Sequence, residues 1–296
     1  MILDTKTSAE QTIKDLEEVV KKLHSQPHLT IIMVGDNSAS AVYVRNKIKT
    51  CESIGIKATL LHFAQSWTDE LIHEIHRLNA DETVHGILVQ SPLPSDIPAQ
   101  EVFDAIHPLK DVDGFSSANI ARLYSGDDTG LVPGTPKGIM KILFEYFQMT
   151  NDEWRMTNDG EDKTSNLAGK HAVVIGKSTI VGKPLSLMLM HAGVTVTVCH
   201  SRTKDLAIHT KMADIIISAV GQKHLIASDM VRPGALVIDV GINVAEEEGR
   251  KLSGDCDTDN IATIADITPV PGGVGPMTIA MLLSNVLLAH ELQWKN

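Results

Sequence analysis

Short apolar runs alternate with longer stretches of helical spacing along most of the chain. The run Leu29–Val34 has the length and β-branched content of a buried strand, and the stretch after it has the composition of a helix. Asn37 or Ser38 is the expected N-cap of this helix, and Gly55 marks its expected end. Further strands are predicted over 56–63, 84–89, 171–176, 194–199, 213–218 and 235–240, and further helices over 8–24, 68–80, 100–106, 138–147, 180–192 and after 275. This alternation predicts an α/β fold with a doubly wound parallel sheet.

The strand–helix series occurs twice, and 296 residues are enough for two domains with separate cores. The second series begins at His171. Between the two series, residues 107–136 are rich in loop-forming residues, and a loop of this length is usually functional. Residues 151–166 are polar and charged, which predicts an exposed insertion.

Composition narrows the class of protein. A hydrophobic content of 43% and a charged content of 21% are typical of a soluble globular chain, and the net charge of −11 argues against nucleic acid as the main partner. Cys51, Cys199 and Cys256 are few and far apart, which favours a reducing compartment. The N-terminus lacks the apolar segment of a signal peptide, and no run suggests a membrane span. We therefore expect a cytoplasmic protein with no membrane partner.

Tyr43 and Lys47 lie four residues apart on the first predicted strand–helix unit, so their side chains project from one face. The carboxyl ends of parallel strands are where α/β proteins usually bind ligands. An amine beside an aromatic ring at this place is a candidate site. The same spacing is also common on ordinary solvated helix faces.

A glycine turn opens the second series. Gly176, Lys177 and Ser178 follow a predicted strand and precede a helix near Gly182, where backbone N–H groups and a helix dipole can meet a pyrophosphate. The turn departs from the G-x-G-x-x-G pattern, because Ser178 replaces the middle glycine and one extra residue precedes Gly182. The strand–helix–strand context predicts a dinucleotide site, although a glycine here is also plain turn chemistry.

The end of the next strand indicates which dinucleotide would bind. NAD sites tend to place a carboxylate there for the ribose hydroxyls, whereas this strand ends with Ser201 and Arg202 and no carboxylate. Hydroxyl and guanidinium donors, together with Lys177, suit a 2′-phosphate. The pattern therefore favours NADP over NAD, unless these cations are merely exposed charges.

Two segments superficially suggest metal sites. Residues 254–259 resemble a calcium loop, but the glycine required at its sixth position is Asn260. His73 and His76 lack the spacing of zinc-protease ligands and are typical of a solvated helix face. We predict no metal site.

Taken together, these pieces resemble the bifunctional methylenetetrahydrofolate dehydrogenase/methenyltetrahydrofolate cyclohydrolase family. The segments that carry the resemblance occur in the family's order between about residues 29 and 287: VGDNSASAVYVRNK, VQSPLP, KDVDGF, PGTPKG, GKSTIVGKP, ADIIISAVG, VIDVGIN and PGGVGPMT. Each segment is weakly specific alone, but eight in order make coincidence improbable.

The resemblance implies an α/β enzyme of two domains with a cleft between them. Residues 1–134 with 276–296 would form a folate-binding αβα catalytic domain, and residues 135–275 a Rossmann-like NADP-binding domain. It further implies a homodimer through the nucleotide-binding domain. The implied reactions are oxidation of methylenetetrahydrofolate by NADP and hydrolysis of the methenyl product to formyltetrahydrofolate.

The resemblance also implies roles for individual residues. Lys47 would be the acid/base of hydrolysis, Gln90 would hydrogen-bond and tune it, Tyr43 would stack on the substrate, and Asp113 would hold the pterin ring. The segment Pro271, Gly272, Gly273 and Val274 would contact the folate beside the nicotinamide. The cofactor would be lined by Gly176, Lys177, Ser178, Ser201 and Ile242.

The residue types suit these reactions. An ammonium is disfavoured beside the cationic methenyl group, so Lys47 is expected to act as a neutral amine that activates water and then returns a proton. Asp113 can pair with the amidine-like edge of a pterin, although an Asx-turn before Gly114 would also explain it. Two other functions stay open at this point: another NADP-dependent dehydrogenase of a small acid or amino acid, and a non-catalytic folate- or nucleotide-binding protein.

Overall fold

The computed structural model describes residues 1–65, 67–127, 129–148, 166–245 and 251–294. The predicted insertion at 151–166 therefore lies outside the described residues, apart from its last position. The chain divides into two compact units. One comprises Gln11–Gly134 and Ile279–Asn296, and the other comprises Met1–Glu10 and Thr135–Thr278. We call them the three-stranded unit and the five-stranded unit, after their main sheets.

Strands and helices alternate in both units. The strands are β1 (His28–Val34), β2 (Lys57–Phe63), β3 (Gly86–Val89), β4 (His171–Ile175), β5 (Thr195–Cys199), β6 (Ile215–Ser218), β7 (Leu236–Asp239), β8 (Asn243–Ala245), β9 (Lys251–Ser253) and β10 (Asp266–Ile267). The helices are α1 (Thr5–Val20), α2 (Ser38–Ser53), α3 (Thr68–Ala80), α4 (Ala99–Asp104), α5 (Ser117–Ser125), α6 (Gly134–Tyr146), α7 (Gly182–His191), α8 (Leu206–Thr210), α9 (Thr258–Ile261) and α10 (Val274–Trp294).

The three-stranded unit has a parallel sheet in the order β2-β1-β3. All seven residues of the central strand β1 are buried. Successive side chains of a strand point to opposite faces, and here alternate β1 residues enter two different cores. One core joins Leu29 and Ile31 to residues of α2 and α10, and the other joins Ile32 and Val34 to residues of α3 and α4. Helices thus cover both faces, which confirms the doubly wound arrangement.

The five-stranded unit has a parallel sheet in the order β10-β7-β6-β4-β5. Strand order reverses beside β4, since β5 lies on one side of it and β6 on the other. The crevice beyond the carboxyl ends of strands at such a reversal is the usual ligand site of an open α/β sheet. The hairpin β8–β9 is antiparallel and was not predicted. The α/β class with two domains is confirmed.

Several local predictions were wrong, including the start of α6, which lies at Gly134 rather than at residue 138. Helix α1 begins at Thr5 rather than at the predicted Ser8, which lies inside the helix and donates its hydroxyl hydrogen to Glu145. Helix α5 forms within residues 107–136, for which the sequence predicted a loop-rich segment and no helix. The Ser116 side chain caps its start by accepting from the N–H of Asn119, and left-handed Gly126 ends it. These caps define a helix too short for its periodicity to be evident in the sequence.

Helix α10 is the longest of the described helices, and its sequence is strongly apolar. Its 21 residues, with a mean hydropathy of 1.2 over the most apolar 18, are sufficient for a membrane span by length and composition. No such segment was expected from the sequence. However, 61% of its most apolar stretch is buried within the protein. Such burial is typical of the core helix of a globular domain.

Candidate active site

Helix α2 presents the two residues singled out from its sequence. Asn37 caps the helix, because its side chain accepts from the N–H of Ser40 at 2.9 Å. Val44 is buried in the core, which fixes the rotation of the helix about its axis. Lys47 is then half-buried, whereas Tyr43 remains 41% exposed. The prediction that these two side chains share a helix is confirmed.

Gln90 positions the Lys47 amine. Gln90 follows β3 directly, and its backbone N–H donates to the Ile32 carbonyl at 2.8 Å, so sheet pairing sets its place. Its side-chain Nε2 donates to the Ser91 carbonyl at 2.6 Å, and its Oε1 accepts from Lys47 Nζ at 3.0 Å. The first of these side-chain bonds orients the carboxamide, and the second therefore directs one ammonium or amine hydrogen at a defined acceptor.

Asp113 lies in the same electrostatic environment. Burial raises the pKa of its carboxyl to about 6, the Lys47 charge acts to lower it, and the Asp111 charge acts to raise it. Gly114 follows with φ of +65°, and a Cβ there would lie 2.7 Å from the Leu131 carbonyl oxygen. Only glycine fits this turn. The loop therefore holds the Asp113 carboxyl within range of the Lys47 charge.

Tyr43 completes the group on the three-stranded unit. Burial raises the pKa of its phenol, so the hydroxyl stays protonated at neutral pH. Its partly exposed ring offers an apolar face and a hydrogen-bonding tip. An aromatic face, an amine, a carboxamide and a carboxyl are thus available on one unit.

The glycine turn after β4 allows unusually close backbone approach. Gly176 has φ of +115°, and a Cβ there would lie 2.6 Å from the Ala219 carbonyl oxygen. A Cβ on Gly182 would lie 2.0 Å from the Gly176 carbonyl oxygen. Ser178 Oγ accepts from the N–H groups of Val181 and Gly182 at 3.2 and 3.4 Å. A tight turn of this kind leading into α7 fits a pyrophosphate.

The turn after β5 exposes the predicted 2′-phosphate donors. The N–H of His200 donates to Thr203 Oγ1 at 2.9 Å, and the N–H of Arg202 donates to His200 Nδ1 at 3.1 Å. This turn leaves Ser201 and Arg202 exposed, and Lys177 is exposed as well. One hydroxyl and two cations are the donor set that a phosphate monoester requires. The residues present therefore fit NADP.

Sequence reasoning missed two carboxylates that shape the neighbouring loops. Asp255 accepts from Ser218 Oγ and from the N–H groups of Val220 and Gln222, at 2.9, 2.9 and 2.8 Å. Asp239 accepts from the N–H groups of Asp255 and Cys256 at 3.0 and 2.9 Å. Asp255, the first carboxylate of the segment that resembles a calcium loop, is therefore committed to hydrogen bonds within the protein.

These two carboxylates also explain nearby glycines. A Cβ on Gly241 would lie 2.0 Å from Asp255 Oδ1, and one on Gly254 would lie 1.9 Å from Asp239 Oδ2. The glycines beside these aspartates were the signal in the sequence that could have indicated the close approach of the two carboxylates to the backbone. Ile242 follows this contact and is 47% exposed. Over the described ranges, no group of three or more His, Cys, Asp or Glu side chains is arranged to hold a metal ion.

The glycine-rich segment before α10 belongs to the five-stranded unit. Gly272 has φ of +98°, and its carbonyl accepts from Thr5 Oγ1 at 3.4 Å. A Cβ on Gly273 would lie 2.3 Å from the Pro269 carbonyl oxygen. Pro271 is exposed, whereas Val274 is buried as the first residue of α10. This segment shares its unit with the glycine turn, whereas Lys47, Gln90, Tyr43 and Asp113 belong to the three-stranded unit.

Family comparison assigns both parts of the chain. Residues 3–113 match the catalytic domain of tetrahydrofolate dehydrogenase/cyclohydrolase, and residues 159–294 match the NAD(P)-binding domain of the same enzyme. The chain belongs to the tetrahydrofolate dehydrogenase/cyclohydrolase family. The resemblance noted from its sequence segments is confirmed.

Individual members of the family align over nearly the whole chain. The bifunctional protein FolD of Paracidovorax citrulli is 50% identical over 275 residues, which are 92% of this chain and 90% of that protein. The crystal structure of the bifunctional enzyme FolD from Campylobacter jejuni has a TM-score of 0.89 at 42% identity and covers 99% of both chains. FolD of Trypanosoma brucei, solved with NADP cofactor and an inhibitor, has a TM-score of 0.88 at 31% identity, covering 100% of this chain and 99% of that one.

Proposed function

We propose that this member of the family oxidises methylenetetrahydrofolate with NADP and then hydrolyses the methenyl product to formyltetrahydrofolate. The observation that carries the proposal is the 3.0 Å hydrogen bond between Lys47 Nζ and Gln90 Oε1, with the Asp113 carboxyl in the same electrostatic environment. A dehydrogenase of a small acid or an amino acid would have no use for this arrangement. Family membership supports the same activity.

The oxidation step requires little acid–base chemistry from the protein. Bound NADP would supply the acceptor for a hydride from the one-carbon unit of the folate. The glycine turn at Gly176, Lys177 and Ser178 would hold its pyrophosphate, and Ser201 with Arg202 would hold its 2′-phosphate. The chain contributes by binding and orienting the reacting carbons, which converts an encounter into an intramolecular reaction.

The hydrolysis step needs proton transfer, and Lys47 is placed for it. The methenyl group is cationic and favours the neutral amine beside it. Gln90 accepts one hydrogen from that amine and so directs its lone pair elsewhere. The lone pair takes a proton from water as the water oxygen bonds to the methenyl carbon. The resulting ammonium then returns the proton to the ring nitrogen as the bond between that nitrogen and the carbon breaks. The carbinol hydroxyl loses its own proton to solvent in this step and becomes the formyl carbonyl.

Substrate recognition would use the remaining groups of the three-stranded unit. With a pKa of about 6, Asp113 is ionised at neutral pH and can accept two hydrogen bonds from the amidine-like edge of a pterin. The Tyr43 ring would stack on the substrate. Pro271, Gly272, Gly273 and Val274 would contact the folate on the nicotinamide side, and Ile242 would line the cofactor.

The wider assignments are proposals of the same kind. We assign folate binding to residues 1–134 with 276–296 and NADP binding to residues 135–275. These bounds differ from those of the compact units in residues 1–10 and 276–278, which belong to the five-stranded unit. We further propose a homodimer that forms through the nucleotide-binding domain and works in the cytoplasm, without nucleic-acid or membrane partners. Sedimentation of the purified chain would test the dimer.

A single spectrophotometric assay tests the function. Purified protein is mixed with methylenetetrahydrofolate and NADP, and the absorbance of the methenyl product is followed. We expect this product to appear and then decay as it is hydrolysed. Absence of turnover despite tight folate or NADP binding would instead indicate a non-catalytic binding protein. Reduction of NADP only with small hydroxy or amino acids would indicate another dehydrogenase.

A further inference from the structure

A buried asparagine on α10 contacts the loop that carries Asp113. The Asn285 side chain is fully buried, at 0% exposure. Its Nδ2 donates to the Val112 carbonyl at 2.8 Å and to the Val132 carbonyl at 2.7 Å. A carboxamide nitrogen carries two hydrogens, and both are used here on carbonyls of different segments.

A second buried asparagine joins the same two segments from α5. Asn119 is 1% exposed, and its Nδ2 donates to the Pro108 carbonyl at 2.9 Å and to Asp111 Oδ2 at 3.0 Å. Its Oδ1 accepts from the N–H of Leu131 at 3.3 Å. Asn119 and Asn285 therefore both bridge residues 108–112 to residues 131–132.

These contacts leave the Asp113 backbone little freedom. On one side, the Val112 carbonyl is held by Asn285. On the other side, Gly114 packs so closely on the Leu131–Val132 backbone that a Cβ would lie 2.7–2.8 Å from it. Each buried carbonyl needs its partner, because no solvent can replace the lost hydrogen bond. The position of the carboxyl is thus tied to α10 as well as to its own loop.

We propose that Asn285 is a positioning residue for folate binding, acting through the Val112 and Val132 carbonyls to place the Asp113 carboxyl. The inference rests on the proposed function, since it takes Asp113 to be a group that contacts the folate. Asn285 itself touches no reacting atom. Its contribution is to restrict one side chain of the binding set, which affects affinity for the folate and not for the nucleotide.

Three variants of the full-length chain separate positioning from general stability. Asn285→Leu keeps the approximate size of the side chain and removes both donors. Asn285→Ser keeps one hydroxyl hydrogen and can satisfy one carbonyl. His290→Leu is the matched control, because His290 lies on the same helix, is 5% exposed, and bonds through Nε2 to Ser25 Oγ at 2.7 Å, away from the two segments. The Tm of each variant is measured first. The KM for methylenetetrahydrofolate and the KM for NADP are then measured at a temperature well below the lowest Tm.

We expect Asn285→Leu to raise the KM for the folate about tenfold and Asn285→Ser about threefold, with the KM for NADP changed less than about twofold. His290→Leu should lower the Tm to a similar extent and leave both KM values unchanged. If Asn285→Leu does not fold, Asn285→Ser decides the question. An unchanged KM for the folate, or equal increases in both KM values, would overturn the positioning role in an active enzyme. An inactive wild-type chain would instead overturn the proposed function and, with it, this inference.

Discussion

The Asp113 carboxyl is ionised at neutral pH in surroundings that disfavour its charge. Burial raises its pKa from an ordinary 3.8 to about 6, even though the Lys47 charge acts in the opposite sense. The folded chain therefore binds this proton more tightly than the unfolded chain does. Stability is lost as the pH rises from about 3.8 to about 6, and the loss persists at higher pH. A destabilising charge of this kind is typical of a residue kept for function.

Asp113→Asn should therefore raise the stability of the fold and weaken folate binding. Because the amide has no charge to bury, we expect the free energy of unfolding to rise by about 1–3 kcal/mol at pH 8, and by less at pH 5. The KM for the folate should rise about tenfold, since one strong acceptor is lost. Urea unfolding and steady-state kinetics measure these effects. The exposed Asp96→Asn is the control. A loss of stability in Asp113→Asn at pH 8 would show that the Asp113 charge does not destabilise the fold.

The exposed donors after β5 and in the glycine turn should decide cofactor choice. Replacing Ser201 and Arg202 together by alanine removes a hydroxyl and a guanidinium that suit a phosphate monoester. We expect the KM for NADP to rise at least about tenfold and the KM for NAD to change less than about twofold. Lys211→Ala removes an exposed cation elsewhere on the same unit and should change neither value. Equal increases in the KM for NADP and the KM for NAD would argue against the 2′-phosphate assignment.

Among the elements, the sequence pattern predicted those strands and helices whose formation depends on residues close together in the chain. Strand β1 and helix α2 follow from an apolar run, a capping asparagine and a terminal glycine, and Lys47 lies on the predicted helix. Residues that act through distant contacts were not found. Asn285 hydrogen-bonds to Val112, which lies 173 positions away in the sequence, and Asp255 hydrogen-bonds to Ser218, which lies 37 positions away. Neither pairing leaves a periodicity that can be read from the sequence, although flanking glycines mark the second.

Three histidines join elements of the three-stranded unit. The backbone N–H of His28 on β1 donates to Nδ1 of His85 at 3.1 Å, and the His85 ring lies 4.5 Å from that of His290 on α10. Burial lowers the pKa of all three, and with the neighbouring histidine and lysine charges it brings that of His85 to about 4. The native cluster is therefore uncharged at neutral pH, and acid must charge it.

This cluster should make the chain sensitive to mild acid. Because the unfolded histidines bind protons more readily, stability is fully present above about pH 6.5 and is lost as the pH falls towards 4. The loss for His85 alone should approach about 1.4 kcal/mol per pH unit in that range. Urea unfolding between pH 7.5 and 5 measures the slope. His85→Gln should flatten it and the exposed His76→Gln should not, whereas equal slopes in all three proteins would refute the explanation.

At the scale of the whole molecule, the doubled strand–helix series of the sequence corresponds to two compact units with separate parallel sheets. The proposed proton-transfer group lies on one unit and the nucleotide-binding turn on the other. This division suits two reactions with different needs, because hydride transfer requires orientation and hydrolysis requires an amine. The two activities should consequently respond differently to the loss of one side chain.

Replacing Lys47 by Met should separate the two activities. The two activities are measured separately, by methenyl formation with NADP and by decay of added methenyltetrahydrofolate, with the exposed Lys49→Met on the same helix as the control. We expect Lys47→Met to slow hydrolysis about 10³-fold, while oxidation stays within about tenfold of the wild-type rate. Lys49→Met should keep both activities. Hydrolysis at the wild-type rate in Lys47→Met would show that Lys47 is not the acid/base of this reaction.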